Sequence, residues 1–218
     1  MLTDRRRSPD LPSSLPSPVR SRVILVVIAV ALAAFTVLTL LVATHTTQRL
    51  DVAARDYFRP HDEWGPLQRQ ADLVVEGLKP RNIALLLVVA AAGTSIWERS
   101  WRPAAYAALL GGVTGGLTLI VKFMLQRPDP HYEMTAVGGS FPSGHMVTVL
   151  VSLGGAVLVV WQRSRWWHWV AVASVALTMA LSMLVQAAHW FTDLVGGVLL
   201  ATAVLAAASL WPLRRRAP

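Results

Sequence analysis

The chain has 218 residues, of which 54% are hydrophobic and only 15% are charged. Its mean hydropathy is positive, at +0.49, and this composition indicates a polytopic membrane protein rather than a soluble globular domain. The net charge of +8 does not indicate nucleic-acid binding, because the arginines are divided among tails and short loops and form no continuous basic face. The chain contains no cysteine, which excludes disulfides, thiol chemistry and cysteine-based metal sites.

Six apolar windows predict membrane-spanning helices, because crossing a hydrocarbon layer of roughly 30 Å takes about 20 mainly apolar residues. The second and fourth windows are the shortest. We therefore expect an all-α fold, a six-helix integral membrane bundle that forms one domain over residues 23–213. The windows cover residues 23–43, 82–97, 104–125, 145–161, 167–187 and 191–210.

The segments around the first window are polar. Residues 1–22 are rich in proline, serine and arginine, which predicts a disordered basic tail. The window itself is too long for a signal-peptide core, and no small-residue cleavage site follows it, so we expect a retained helix. The connection over residues 44–81 mixes both signs of charge with scattered apolar side chains. This pattern predicts one or two interfacial amphipathic helices between the first two spans.

Basic residues predict the orientation of the bundle, because they collect on the cytoplasmic side of short loops. With six spans both termini share one side, and that side carries most of the arginines. We therefore expect a multi-pass protein of the cell membrane with both termini in the cytoplasm, surrounded by membrane lipids and without a nucleic-acid partner. The arginines of that side are Arg5, Arg6, Arg7, Arg20, Arg22, Arg99, Arg102, Arg163, Arg165, Arg214, Arg215 and Arg216, and its acids are Asp4, Asp10 and Glu98.

The third, fourth and sixth windows contain paired glycines. In the third window they are spaced as small-xxx-small pairs, an arrangement that lets membrane helices approach closely. We expect these three helices to pack tightly and so to hold together the loops at their outer ends. The glycines are Gly111, Gly112, Gly115, Gly116, Gly154, Gly155, Gly196 and Gly197.

Polar residues at the outer ends of these windows are candidates for function, because a charge within a membrane span is costly. Lys122 lies near the end of the third window, and a small polar loop leads into the fourth. In that loop Ser143 can cap the helix and Gly144 lets backbone N–H groups approach a ligand. The positive end of the helix dipole favours a phosphate there, and His145 is placed to transfer a proton. The alternative is an ordinary capped helix start.

His189 and Asp193 lie four residues apart at the start of the sixth window, so on a helix they share one face. Asp193 can then fix the tautomer of the imidazole and stabilise its protonated form. The alternative is that Asp193 only caps the helix. Lys122, His145 and His189 fall on the same outer side, which predicts a metal-free phosphoryl-transfer site. One histidine would attack phosphorus and the other would protonate the leaving oxygen.

A metal site is the competing chemistry for the same side chains. Its possible ligands are His131, His145, His189 and Asp193. The sequence has no close ligand spacing such as H-E-x-x-H. We therefore expect neither a metal nor another cofactor.

These residues resemble the type 2 phosphatidic acid phosphatase superfamily of integral membrane lipid phosphatases. The family pattern is a lysine, six residues and Arg-Pro; then Pro-Ser-Gly-His; then Ser-Arg, five residues, His, three residues and Asp. The second motif is intact at residues 142–145, and His189 and Asp193 follow Ser182 at the family spacing. The resemblance implies that His189 is the nucleophile that forms a phosphohistidine, with Asp193 as its orienting partner.

The resemblance also assigns the remaining roles. It implies that His145 is the acid for the leaving group and that Lys122, Ser143 and Gly144 bind the phosphoryl oxygens. The lipid tail would enter laterally between helices. The expected substrates are a polyprenyl diphosphate, phosphatidic acid or phosphatidylglycerol phosphate.

Two departures from the family pattern each remove a positive charge. Asp129 and Met183 stand where the family has arginines. Arg127, two residues before the first of these positions, is expected to supply the missing guanidinium to the phosphate. His131 is a further donor, and Gln186, one turn after Met183, is an uncharged contact.

The missing charges keep a second function open. The alternative to an enzyme is a catalytically silent protein of the same fold that binds lipid phosphates or acts as a scaffold. A transporter or channel is a third class, and it predicts ionisable residues deep in several spans. Here these residues lie close to the span ends.

Overall fold

The computed structural model describes residues 18–134, 137–161 and 164–211. These residues confirm the predicted all-α class. The predicted disordered tail of residues 1–22 lies outside the described residues as far as residue 17, whereas residues 18–22 belong to the first helix. The helices are α1 (Pro18–Ala43), α2 (Gln48–Phe58), α3 (Pro66–Gly77), α4 (Pro80–Trp97), α5 (Arg102–Leu125), α6 (Gly144–Val160), α7 (Trp166–Val185) and α8 (Phe191–Ser209), with a 3₁₀ turn at Pro60–Asp62.

Each of the six apolar windows corresponds to one long helix. Length and apolarity alone qualify four of them to cross a membrane, namely Ser21–Ala43, Arg102–Leu125, Trp166–Val185 and Phe191–Ser209. The other two, α4 with 18 residues and α6 with 17, match the windows that were predicted to be short. Several helices begin where proline stands in the first turn, because proline has a suitable φ and the amide hydrogen that it lacks has no partner there.

The connection between the first two windows folds into two amphipathic helices, as predicted. Helix α2 packs against α7 and α8, and α3 packs against α7. Most of α2 faces outward, yet its one fully buried side chain is a carboxylate, Asp51. Both helices therefore cover the end of the bundle where α5 and α7 finish and α6 and α8 begin.

Helix α6 is the centre of the bundle, and it packs against α4, α5, α7 and α8. Helix α1 lies on the outside and packs against α8. The side chains of Val149, Met179 and Ala201 are completely buried, which places the core along α6, α7 and α8. The ends of α5, α6 and α8 that carry polar residues are thereby brought to one side of the molecule.

The glycine pairs behave differently in the three helices. In α6 and α8 they are close-packed as predicted, because a Cβ atom on Gly154 would lie 2.7 Å from Leu205 and one on Gly197 would lie 2.8 Å from the Cβ of Met146. The prediction is wrong for α5. Nothing lies within 4 Å of a Cβ atom added at its four glycines, Gly111, Gly112, Gly115 and Gly116. Spacing alone does not show which face of a helix meets a neighbour, and the α5 stripe faces open space.

Replacing Gly197 by alanine should destabilise the bundle, since the new methyl group would meet the Cβ of Met146 and, at 3.1 Å, the carbonyl oxygen of Ser143. Overpacking of this kind costs about 1–3 kcal/mol. The melting temperature of Gly197→Ala in detergent should fall by several degrees. Gly116→Ala is the matched control and should melt at or above the wild-type temperature, because alanine is the better helix former and the site is open. Equal melting temperatures for the two variants would contradict this packing.

Candidate active site

The loop between α5 and α6 is folded back onto the end of α5. Gln126 ends the helix in a left-handed conformation, and the amide of Gly139 then donates to the carbonyl of Lys122 at 3.2 Å. The buried ammonium of Lys122 donates to the carbonyl oxygens of Gly139 and Ser140, at 2.5 and 3.3 Å. A Cβ atom at Gly139 would lie 2.5 Å from the backbone nitrogen of Arg127, so only glycine fits this close approach. The ammonium of Lys122 therefore holds this loop against the end of α5.

Helix α6 begins immediately after this loop and is capped by Ser143. The hydroxyl of Ser143 accepts from the amide of Met146 at 3.4 Å, and its own amide donates to the carbonyl of Asp193 at 3.0 Å. The first bond is the helix cap predicted from the sequence. The second fixes the start of α6 against the start of α8. The amides of Gly144 and His145 lie in the first turn, where an amide has no intrahelical partner.

His189 and Asp193 make the contact predicted from their spacing. The Nδ1 atom of His189 lies 3.2 Å from Oδ2 of Asp193, and both side chains are buried. The same carboxylate oxygen accepts from the amide of Trp190 at 3.1 Å. Asp193 therefore orients the imidazole and also caps α8, so orientation of His189 and capping of the helix are compatible roles. Since Nδ1 faces the carboxylate, Nε2 of His189 is the nitrogen left for chemistry.

His145 faces His189 across a short gap. Their ring centroids are 6.1 Å apart and the ring planes are inclined by 71°. Gly144, at the start of the same helix, lies beside Lys122, whose Cε atom would be 3.7 Å from a Cβ atom on that glycine. Two imidazoles, one ammonium and the start of a helix thus converge on a space that suits a small anion.

Arg127 pairs with carboxylates in this structure. One Nη atom donates to Oδ1 of Asp193 at 2.7 Å and to the hydroxyl of Thr192 at 2.9 Å. The other donates to Oδ2 of Asp51 at 2.6 Å. Its guanidinium also lies over the ring of Trp190, 5.3 Å from the centroid. The expected contact between Arg127 and a phosphate stays a prediction.

The two residues that replace family arginines have structural roles. One carboxylate oxygen of Asp129 accepts from the amides of His131 and Glu133, both at 2.9 Å, and so closes a turn. Met183 is 1% exposed, and its sulfur lies 3.9 Å from the hydroxyl of Ser143. Neither position supplies a positive charge.

The two further candidates from the sequence contact the residue that follows α2 and a residue of α3. The Nε2 atom of His131 lies 3.3 Å from a guanidinium nitrogen of Arg59, and the side chain of Gln186 donates to Asp72 at 2.9 Å. Arg59 also donates to the carbonyl of Gln186 at 2.6 Å. Sequence reasoning missed the roles of both Arg59 and Asp51. The only available signal was their place in the connection predicted to fold over the site.

A cavity of about 780 Å³ runs between α4, α5 and α6 and reaches the site. Lys122, Gly144 and Arg81 lie at its polar end, and the rest of its lining is almost wholly apolar. Gly111 and Gly115 form part of its wall, so these two glycines of α5 widen the cavity instead of closing a helix interface. A site with one polar end and a long apolar extension suits an amphiphile.

Among the described residues, no group of three or more histidine or acidic side chains is arranged to hold a metal ion. His131 contacts Arg59, whereas His189 contacts Asp193. The chemistry that this arrangement can perform with its own groups is nucleophilic attack by one imidazole and proton transfer by the other.

The model of the PAP2 superfamily matches residues 100–217, which is more than half of the chain. The structure is similar to that of the first transmembrane PAP2 type phosphatidylglycerolphosphate phosphatase from Bacillus subtilis, with a TM-score of 0.72 and 17% sequence identity. That match covers 83% of this chain and 93% of the other, and at this identity it shows the fold alone. No curated protein matches the sequence significantly.

Removing the carboxylate of Asp129 should loosen the loop over the site, because two amides lose their acceptor. In Asp129→Ala, hydrogen exchange at the amides of His131 and Glu133 should accelerate, and stability should fall by about 1 kcal/mol. Mass spectrometry of a peptide covering residues 126–143 measures the exchange. Asp129→Asn keeps an oxygen acceptor and should exchange at nearly the wild-type rate. If both variants exchange like the wild type, this turn does not organise the loop.

Proposed function

The chain belongs to the PAP2 superfamily, and from that premise we propose that it is a membrane phosphatase that hydrolyses a lipid phosphate or diphosphate. The observation that carries this proposal is the facing pair of imidazoles, His145 and His189, with rings 6.1 Å apart and with the second held by a buried carboxylate. A phosphorus atom placed between the rings is within reach of a nucleophile on one side and a proton donor on the other.

In the first step Nε2 of His189 attacks phosphorus. A phosphorus–nitrogen bond forms, and the bond from phosphorus to the lipid oxygen breaks, with its electron pair going to that oxygen. His145 donates a proton to the leaving oxygen. Asp193 stabilises the positive charge that develops on the imidazole of His189, because its carboxylate faces Nδ1.

In the second step the phosphohistidine is hydrolysed. His145, now neutral, takes a proton from a water molecule as the water oxygen attacks phosphorus. The phosphorus–nitrogen bond breaks and returns its electron pair to His189, and inorganic phosphate leaves. The two histidines thereby return to their starting protonation states.

Phosphate binding falls to Lys122 and to the start of α6. An ammonium has three N–H donors, and two of those of Lys122 are used by the loop carbonyls, which leaves the third for a phosphoryl oxygen. Ser143 holds the first turn of α6 in place, and the amides of Gly144 and His145 donate to the same anion. Preorganised donors of this kind stabilise the charge that develops in the transition state, and no metal is needed.

The apolar cavity supports a lipid as the substrate. Its volume of about 780 Å³ lies within the usual range of ligand pockets. Its lining leads from Lys122 and Gly144 down the length of α5 and α6 toward Ala104. A lipid would enter sideways between α4 and α5 and would place its phosphate against the histidines. Polyprenyl diphosphate, phosphatidic acid and phosphatidylglycerol phosphate all have the required chemistry.

The bundle would cross the cell membrane six times, with α4 and α6 as the shorter spans. The basic residue Arg99 lies between α4 and α5, and Arg102 is the first residue of α5, at the end of the molecule opposite to the site. By the distribution of basic residues that end faces the cytoplasm. The termini would then lie in the cytoplasm, and the site would open at the extracytoplasmic face.

Replacing either histidine tests the mechanism. With lipid substrates, His189→Ala and His145→Ala should each lose about 10²–10⁴-fold or more in kcat. With p-nitrophenyl phosphate, whose leaving group needs no proton, His145→Ala should regain much of the loss and His189→Ala should not. Quenching a ³²P-labelled reaction with alkaline SDS should trap an alkali-stable, acid-labile phosphoenzyme in the wild type and none in His189→Ala.

The same assay decides between the enzyme and the silent protein. Release of phosphate from a panel of lipid phosphates and diphosphates by the purified wild-type protein supports the phosphatase. If no substrate is turned over and lipid-phosphate binding is the same in the wild type and His189→Ala, the protein is a binding protein and the proposed function is wrong.

A bulky side chain in the cavity tests the lipid site. In Gly115→Leu the new side chain would fill the space beside α4 and α6, so KM for a long-chain lipid phosphate should rise about tenfold or more. Hydrolysis of a water-soluble, short-chain substrate should stay close to the wild-type rate. Gly112→Leu is the matched control, because Gly112 lies on the same helix outside the cavity lining. Equal KM values in the two variants would exclude this cavity as the tail site.

A further inference from the structure

Asp51 is a buried carboxylate of α2, in a part of the chain outside the residues matched by the family model. It is 1% exposed. One of its oxygens accepts from the amide of Thr192 at 2.9 Å, and the other accepts from the hydroxyl of Thr192 at 2.8 Å and from Arg127 at 2.6 Å. A carboxylate is buried in this way only when donors compensate its lost hydration.

The bond to Thr192 makes Asp51 a second cap for α8. Thr192 is the second residue of that helix, so its amide is one of the donors that have no partner within the helix. A negative charge at this place also interacts favourably with the helix dipole. The carboxylate from α2 therefore fixes the residue that immediately precedes Asp193.

The bond to Arg127 joins Asp51 to Asp193 through one guanidinium. Arg127 donates to Asp51 with one Nη atom and to Asp193 with the other, at 2.6 and 2.7 Å. Its side chain is only 12% exposed. The geometry is that of a cation shared between two acids, and the opposite oxygen of Asp193 holds His189.

The charge balance of this group matters for His189. Arg127 alone would neutralise Asp193 and weaken its ability to stabilise a positive imidazole. With Asp51 present, one positive charge faces two negative charges, and a net negative charge is left beside His189. Arg127 can hold the carboxylate of Asp193 without cancelling its negative charge only because the carboxylate of Asp51 balances the guanidinium.

We infer that Asp51 is a positioning residue, and that Arg127 acts through Asp193 rather than on the phosphate. This inference rests on the proposed function, in which His189 is the nucleophile. Helix α2 would then belong to the reaction machinery of this chain, and the guanidinium near the first motif would orient the nucleophile's partner. The phosphate would be left to Lys122 and the start of α6.

The test is steady-state kinetics of the purified full-length protein carrying Asp51→Asn, with the inhibition constant of inorganic phosphate measured in parallel. The amide keeps the shape of the side chain and one acceptor but removes the charge. We expect kcat to fall by about tenfold or more, because small losses of orientation are costly in rate. KM and the phosphate inhibition constant should stay within about twofold, since the groups that contact phosphate are intact.

Two comparisons separate this role from a general loss of structure. Asp56→Asn is the control on the same helix, since Asp56 is exposed and pairs only with its neighbour Arg55. It should leave kcat and KM unchanged. The double variant Asp51→Asn with Arg127→Gln restores the charge balance and should recover part of the kcat lost in Asp51→Asn. If Asp51→Asn does not fold, Thr192→Val removes the shared hydroxyl without changing any charge, and it should lower kcat and leave KM unchanged.

A raised KM and a weakened phosphate inhibition with kcat unchanged would show that this group serves substrate binding, and it would overturn the inference. So would kinetics identical to the wild type. Both results leave the proposed function standing, because they require an active wild-type enzyme. A wild type without turnover would remove the proposed function, and this inference would fall with it.

Discussion

Asp193 is completely buried at the start of α8, and its carboxylate must be compensated by donors that the protein itself supplies. These donors come from distant parts of the chain. The amide of Trp190 and the ring of His189 belong to the start of α8, whereas Arg127 belongs to the loop after α5 and is held in turn by Asp51 on α2. Satisfying this one charge thus brings together three segments, and it holds the imidazole of His189 in a single orientation.

The helices could be predicted from the sequence because hydrophobic length has a direct physical meaning in a membrane. The windows at residues 82–97 and 191–210 each reappear as one helix, Pro80–Trp97 and Phe191–Ser209. Packing partners could not be predicted in the same way. The glycines of α5 have the spacing of a helix interface, yet Gly111 and Gly115 line a cavity and no atom of the described residues lies close to Gly112 or Gly116. Spacing defines a face of a helix and not what that face meets.

In the candidate active site, too, some contacts could be predicted from the sequence and others could not. Contacts between residues close in sequence were predictable, as the four-residue spacing of His189 and Asp193 and the capping of α6 by Ser143 show. Contacts between residues that are distant in the sequence were not predictable. Arg127 and Asp51 are 76 residues apart, and nothing in their spacing indicates an ion pair. The sequence correctly showed that charges expected at Asp129 and Met183 are missing, but only the structure shows that a turn and a buried sulfur contact fill those positions.

The ammonium of Lys122 lies where the cavity meets the loop between α5 and α6. Lys122 lines the cavity, and its ammonium donates to two carbonyl oxygens of the loop. The boundary between the apolar and polar parts of the site is therefore set by one side chain at a fixed depth. A bound amphiphile would place its own boundary between apolar tail and polar head group at the same depth.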